Sequence, residues 1–252
     1  MKKNKKVSVA VLLSGALFLS ACGKEEKTAL FIRENQEHLK RYEIEEGDEI
    51  NRVGRSAIYA FDMEDLNIVN EKVDLVVLGK ITEEPYMMPR LEGPYTFYSV
   101  QVKEILKGEG LVSQGDIIAA CERQGVMTKK DFKYLALDKG GKFAEVMLRE
   151  GFDVPDEELD QVYMDLTNGP QLHTGDELIF AMYEETDVLT DLEGEFWYIF
   201  GNEHGKFYEI EENQYMRIFS TNGESGLTME ISEIEPKILD KVFTIEELGN
   251  IF

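Results

Sequence analysis

The chain contains two cysteines, and one of them stands where a thiol is commonly modified. Cys22 follows an apolar run, residues 7–19, that is preceded by four lysines and followed by the small residues Ser20 and Ala21. A helix that spans a bilayer needs about 20 apolar residues, so this run is too short to cross a membrane. A basic start, a short apolar core and small residues at its end are typical of a secretory signal.

The four residues Leu19-Ser20-Ala21-Cys22 resemble the lipobox of bacterial lipoproteins. The resemblance covers the first 23 residues. It implies that residues 1–21 are a lipoprotein signal peptide and that the sulfur of Cys22 carries a diacylglyceryl group. Two acyl chains anchor a protein stably, whereas one chain binds only marginally. We therefore expect an exported lipoprotein, anchored by lipid to the outer face of the bacterial cytoplasmic membrane. The alternative is a soluble secreted protein that is cut near Ala21.

The second cysteine, Cys121, lies in the apolar stretch GDIIAACE. A free cysteine in such a stretch is typically a small buried side chain, so we do not expect it to be a nucleophile. If Cys22 is acylated, no second thiol remains for an intramolecular disulfide. We therefore expect the exported fold to depend on its core alone.

The chain is strongly acidic, with 50 Asp and Glu residues against 27 Lys and Arg residues and a formal net charge of −23 at pH 7. Nucleic acids and anionic lipid headgroups require a basic surface, so both are excluded as direct partners. An acidic surface admits basic peptides or other envelope proteins as partners. The simpler interpretation is that the charge keeps an exported protein soluble.

Residues that could hold a metal ion do not cluster in the sequence. His38, His173 and His204 are far apart and lack the spacing of zinc ligands. The acidic stretch at 185–195 offers carboxylates and Gly194, but it lacks the order of a calcium-binding loop. We therefore expect no metal and no cofactor, and a solvated acidic loop is favoured over a calcium site.

Motifs for covalent catalysis are also missing. The sequence contains no G-x-S-x-G and no phosphate-binding glycine loop, and Ser225 lies in a stretch typical of a turn. The sequence therefore favours a binding or scaffolding module without catalytic activity. Two alternatives stay open: a cell-envelope hydrolase that uses carboxylates, which cannot be located among 50 acids, and an assembly factor for other exported proteins.

Aromatic and methionine side chains provide the candidate ligand face. Alternation along a strand sends half of its aromatic side chains away from the core, where they could form a binding surface. The candidates, on two predicted strands and the loop between two others, are Tyr86, Met87, Met88, Tyr95, Trp197 and Tyr208. The alternative is that these side chains fill the core.

The elements that must position these residues are mainly strands. Apolar runs and alternating patterns predict strands at 74–81, 95–106, 115–122, 176–183, 195–201, 206–210 and 214–220. Within a predicted helical insertion at about 126–170, Leu159, Val162, Tyr163 and Leu166 form an apolar helical stripe that begins after Pro155. Thr244 and Glu247 predict a capping box at the start of a last helix. Residues 22–55 form the lipidated N-terminus and are polar enough to predict a mobile tether.

Five segments in order are similar to a widespread group of uncharacterised exported bacterial proteins. They are VDLVVLGKI, YSVQVKEILKGEG, GDIIAACERQG, LHTGDELIFAMY and YIFGNEHGKFYEI, within about residues 73–122 and 171–210. The resemblance implies a mainly β (α+β) fold with a small, OB-like, partly open antiparallel β-barrel at 56–252. The match is weakest at Val73 and around Glu122. The group has no settled activity, so the resemblance implies architecture alone.

Overall fold

The computed structural model describes residues 26–44, 48–52, 65–142, 152, 154–165, 170, 172–184, 189–218 and 241–252. Its strands are β1 Glu49–Arg52, β2 Leu75–Ile81, β3 Tyr86–Met88, β4 Tyr95–Lys107, β5 Ile117–Glu122, β6 Val126–Thr128, β7 Val162–Asp165, β8 Glu177–Glu184, β9 Trp197–Ile199, β10 Lys206–Glu211, β11 Gln214–Met216 and β12 Phe243–Thr244. Its α-helices are α1 Glu26–Glu34, α2 Leu66–Lys72, α3 Lys129–Lys139, α4 Asp156–Asp160 and α5 Ile245–Ile251.

Five strands close a ring in the order β8-β2-β4-β5-β9, and β9 returns to β8. The pairs of β2 with β4, β4 with β5, and β8 with β2 and β9 are antiparallel, whereas β5 and β9 are parallel. This ring confirms the predicted α+β fold with a small OB-like barrel. The barrel is closed and not partly open as predicted, because three residues of β9 bridge the gap between β5 and β8, and its pairing with β5 is parallel where all pairs were expected to be antiparallel.

Strand β2 shows why the barrel forms from this sequence. Its first three residues, LVV, are β-branched or apolar and are all fully buried. Leu75 and Val77 point into the barrel, and Val76 points outward into a second apolar layer. A strand that is buried on both faces has a continuous apolar sequence, and this pattern predicted β2.

The second layer covers the outside of the sheet. Helices α2 and α5 pack there with side chains from β8, β10 and β12. Asp65 caps α2 through the backbone N–H of Asn67. The predicted capping box of α5 is confirmed, since the Thr244 hydroxyl accepts from the Glu247 N–H and the Glu247 carboxylate accepts from the Thr244 N–H.

The predicted helix after Pro155 is wrong beyond its first turn. Helix α4 contains five residues, and β7 follows it at once. Strand β7 pairs in parallel with β1 and antiparallel with β6, which together form a three-stranded sheet beside the barrel. Val162 and Tyr163 are compatible with an apolar helical stripe and also with a strand. Hydrogen bonding to β1 and β6 stabilises the strand. Leu166 lies outside the described residues.

Part of the predicted polar tether is instead packed on the barrel. Phe31 of α1 and Leu39 just after it are buried in the apolar cluster at one end of β4 and β5. The backbone of Lys40 also pairs with that of Met87 in β3. Residues 26–40 therefore belong to the folded domain, because two large apolar side chains in a polar segment suffice to dock it.

Candidate binding cleft

A cleft lies between α1 and the barrel strand β5. Its volume is about 410 Å³, within the usual range for ligand sites, and it is partly open to solvent. The side chains and glycine that line it are Thr28, Leu30, Phe31, Glu34, Leu111, Val112, Asp116, Ile117, Ile118, Ala119, Gly194, Glu195 and Trp197.

Helix α1 is held against the barrel by contacts of Phe31, within the helix, and of Asn35, the residue that follows it. The ring of Phe31 packs 5.4 Å from that of Phe97 and 5.8 Å from that of Phe196. Asn35 donates to the carbonyl of Glu193 at 2.8 Å, and its side-chain oxygen accepts from the Glu193 N–H at 2.9 Å. These bonds fix the wall that α1 provides, since a paired amide holds one orientation.

Trp197 forms part of the opposite wall. It begins β9, where it pairs with Ala120 of β5 and with Glu184 of β8. The indole is partly buried against the barrel core and partly exposed to the cleft. It is the single tryptophan of the chain. A rigid aromatic ring with one face on the core and one face on a cleft is typical of a ligand-binding surface.

The charged side chains that line the cleft are all acidic. They are Glu34, Asp116 and Glu195, and no Lys, Arg or His stands among the described lining residues. The apolar part of the lining comes from β5 and α1. Asp116 accepts a hydrogen bond from the Ser113 N–H at 2.8 Å, so this carboxylate is already engaged within the chain.

A second depression, of about 390 Å³, lies on the other side of the same N-terminal segment. Tyr86 lines it together with Leu39 and Glu83. Arg41 covers the Tyr86 ring at 4.0 Å and pairs with Glu83 at 2.6 Å. Chain residues therefore already occupy the π-face of Tyr86, and we regard the cleft beside Trp197 as the stronger binding site.

The predicted ligand face is wrong for four of its six residues. Met87, Met88, Tyr95 and Tyr208 are at most 6% exposed. Strand β3 pairs with β4 and contacts β6, and Met88 is buried in the apolar cluster that also contains Phe31. Tyr208 points into the barrel core. Only Tyr86 and Trp197 of the six keep partial exposure, and they line different depressions.

A buried ion pair inside the barrel end was not predicted. Lys206 Nζ lies 2.8 Å from Glu122 Oε2 and 3.0 Å from Oε1, and both side chains are fully buried. The Tyr98 hydroxyl donates to Glu122 Oε1. Burial lowers the pKa of Lys206, but the attraction of Glu122 outweighs it and holds that pKa above the usual value. The available signals were Glu122 at the end of the apolar strand β5 and Lys206 directly before the apolar residues Phe207 and Tyr208.

Glu203 lies close enough to this pair to feel its charge. Burial raises the pKa of the Glu203 carboxyl, and Glu122 raises it further, while a backbone hydrogen bond and Lys206 oppose the rise. Its Oε2 is buried and has no hydrogen-bond partner among the described residues. Glu203 does not line the cleft, so the carboxyl with a raised pKa is not placed to act on a ligand bound there.

The remaining candidate residues lie apart from the cleft. Cys121 is fully buried, as predicted for a small side chain in an apolar stretch. His173 Nδ1 lies 3.4 Å from Glu84 Oε2 on the surface. Among the described residues, no group of three His, Cys, Asp or Glu side chains is arranged to hold a metal. Residues 185–188 of the acidic loop and Ser225 are outside the described ranges, as is Cys22.

No protein-family model matches this chain, and no curated protein matches it. Within the described ranges, none of the helices combines the length and the apolar character needed to cross a bilayer.

Proposed function

We propose that this chain is an exported lipoprotein, anchored by two acyl chains at Cys22, whose barrel domain binds a partner at the cell envelope and has no catalytic activity. The cell envelope here means the outer face of the bacterial cytoplasmic membrane. The ligand-binding surface is the cleft between α1 and β5.

The single observation that carries the proposal is the sequence Leu19-Ser20-Ala21-Cys22 at the end of a short apolar run. The position of α1 agrees with it. Helix α1 begins at Glu26, so three residues separate the acylated cysteine from the folded domain. Such a short connection keeps the domain and its cleft near the membrane, because an extended residue spans at most about 3.6 Å.

Binding rather than catalysis is supported by the chemistry of the cleft. Its lining offers apolar side chains, carboxylates, one indole and the Thr28 hydroxyl, which donates to the Ile117 carbonyl at 2.7 Å, and the described lining residues include no cysteine, serine or histidine. Nucleophilic catalysis needs an activated nucleophile beside a base, and this lining does not provide that pair.

Metabolic labelling with palmitate tests the anchor in the full chain. We expect the label to follow the protein, and we expect Cys22→Ala to abolish labelling and release the protein from the membrane fraction. The matched control is Cys121→Ala, which removes the other thiol and should leave the label in place. An unlabelled wild-type chain, or a Cys22→Ala chain that still sediments with membranes, would refute the proposal.

A further inference from the structure

We propose that the turn between β4 and β5 docks on the lipid bilayer, with the side chain of Leu111 in the boundary between headgroups and acyl chains. This inference rests on the proposed lipid anchor and names the face of the domain that contacts the membrane.

The lipid anchor limits how far the start of α1 can lie from the membrane. Residues 23–25 separate Cys22 from Glu26, the first residue of α1. An extended residue spans at most about 3.6 Å, so the start of α1 lies within about 14 Å of the acylated cysteine. With its acyl chains in the hydrocarbon core, Cys22 itself lies at the level of the headgroups. The surface around the start of α1 is therefore held next to the bilayer.

The β4–β5 turn, residues 108–116, lies beside the start of α1. The Thr28 hydroxyl donates to the carbonyl of Ile117 at 2.7 Å, which joins the first turn of α1 to the first residue of β5. Leu30 of α1 and Leu111 of the turn line the same cleft, so the two segments are neighbours. The turn therefore lies at the end of the barrel from which the chain leads back to the anchor.

Helix α3 lies at the opposite end of the barrel. Strand β5 leads away from the turn, and its six residues span about 20 Å at about 3.4 Å per residue. Helix α3 follows β5 and β6 in the chain, and its Asp131 pairs with Lys40, which comes after the end of α1. We call this the distal end of the barrel, and we expect it to stay in water.

The composition of the turn suits an apolar contact with lipid. The stretch 108–115, GEGLVSQG, contains one charged residue, Glu109, in a chain that is 31% charged. Leu111 is 55% exposed, more than any other large hydrophobic side chain among the described residues. Burial of apolar surface in the boundary between headgroups and acyl chains is favourable, so an exposed leucine held at this distance enters it.

The turn holds Leu111 in its exposed position. The Leu111 N–H donates to the Gly108 carbonyl at 3.1 Å, and the Gly115 N–H donates to the Val102 carbonyl at 2.8 Å. Gly108 has a φ of +90°, and a Cβ atom there would lie 2.7 Å from the Asp74 carbonyl oxygen. The tip of the turn is therefore ordered before it meets the bilayer, which lowers the entropic cost of docking.

A fluorescent label at position 111 measures the docking. We would express the full chain with its signal sequence, purify it from membranes and reconstitute it in phosphatidylcholine vesicles. A dye that responds to polarity labels Leu111→Cys selectively, because Cys22 is acylated and Cys121 is fully buried. We expect spin-labelled lipid to quench this dye, and we expect its emission to lie to the blue of the same dye at the distal end.

Tyr134→Cys provides that distal position. Tyr134 of α3 is 52% exposed, so the two labelled side chains have nearly the same exposure in the domain and differ in their distance from the anchor. The dye at position 134 should emit as it does in water and should not be quenched by spin-labelled lipid.

A second pair of variants tests the leucine itself, with the dye on Gln114→Cys, an exposed position in the same turn. Leu111→Ser should remove most of the lipid quenching at position 114, because the apolar side chain that enters the bilayer is lost. Leu137→Ser changes a leucine of α3 that is 37% exposed, and it should leave the quenching unchanged. Urea denaturation of the full chain checks that both variants are folded.

Four outcomes would overturn the inference. One is equal quenching, or none, at positions 111 and 134. A second is quenching at position 114 that Leu111→Ser leaves intact. A third is quenching that requires phosphatidylglycerol, which would indicate attraction of Lys24 and Lys27 to anionic headgroups. A fourth is a blue shift in native membranes that lipid vesicles do not reproduce, which would indicate a protein partner at the turn.

Flotation of the vesicles separates this inference from the lipid anchor. If the chain floats with the vesicles and the dye at position 111 is not quenched, the anchor stands and the docking is refuted. If the chain does not float and takes up no palmitate, the anchor is refuted and the docking falls with it.

Discussion

The buried side chains of Lys206 and Glu122 stabilise the fold only as a pair. The two residues satisfy each other, and Tyr98 adds a hydrogen bond to the carboxylate. Removing one partner leaves the other charge buried and unpaired, which typically destabilises a protein by about 3–5 kcal/mol. The pair therefore makes the barrel end intolerant of single changes at either position.

We expect Lys206→Met to lower the free energy of unfolding by about 3–5 kcal/mol, measured by urea denaturation. Adding Glu122→Gln should restore most of the loss, because the neutral amide removes the unpaired charge and still accepts from Tyr98. Lys130→Met is the matched control, since Lys130 pairs with Asp160 on the surface, and it should have little effect. A double variant as unstable as Lys206→Met alone would contradict this explanation.

Glu203 should make stability depend on pH. Burial raises the pKa of its folded-state carboxyl above the unfolded value of about 4.3, so its contribution is fully present below that pH and is lost as the pH rises through the folded pKa. We therefore expect Glu203→Gln to be more stable than wild type at pH 7, with a difference that shrinks toward pH 4. Urea denaturation at several pH values measures it.

The control for this pH series is Glu212→Gln, a change of the same type at an exposed position. Its difference from wild type should be small at every pH. A Glu203→Gln variant whose difference from wild type does not vary with pH would show that the carboxyl is already charged in the folded protein.

Contacts between residues close in the sequence could be predicted, and contacts between residues far apart in the sequence could not. Thr244 and Glu247 form the expected capping box because both groups lie within one helical turn. Lys206 and Glu122 are 84 positions apart, so their contact depends on how the whole barrel closes. The burial of Tyr95 and Tyr208 could not be predicted for the same reason. Alternation assigns side chains to the two faces of a strand, but it does not show whether a face is covered by another part of the fold.

At the scale of elements, helix α1 decides whether the cleft exists. Among the α1 side chains that the structure describes, Phe31 is the single large apolar one that is buried, and it packs between Phe97 and Phe196 of the barrel surface. We expect Phe31→Ala to cost about 3–5 kcal/mol of unfolding free energy and to expose Trp197 to water, because the wall of the cleft loses its anchor. Tryptophan fluorescence and urea denaturation measure the two effects.

Leu30→Ala is the control on the same helix, since Leu30 is partly exposed where Phe31 is buried. It should change stability little and leave the Trp197 emission unshifted. If Phe31→Ala behaves in the same way, α1 does not hold the cleft together.

The elements that the sequence predicted wrongly are those whose partners lie outside their own segment. β7 was expected to continue α4 as a helix, and it pairs instead with β1 and β6. The segment around α1 was expected to be a tether, because its composition is polar apart from Phe31 and a few aliphatic residues. In both cases a tertiary contact overrides the local preference.

For the whole molecule, the positions of the barrel strands along the chain were predicted from apolar and alternating patterns, and their order in the ring and its closure were not. Strands β2, β4, β5 and β8 are long enough to be recognised. Closure depends on the three residues of β9 and on their parallel pairing with β5. Strand β9 also contains Trp197. A short strand whose pairing could not be predicted therefore completes both the barrel and the cleft.

The double burial of β2 limits how sequences with this architecture can diverge. Leu75 and Val77 serve one apolar layer while Val76, between them, serves the other. Substitutions along that stretch disturb one layer or the other, so evolutionary drift there is confined to near-isosteric exchanges. New specificities must arise at the periphery, where α1 and the segment before β9 can change without loosening the centre.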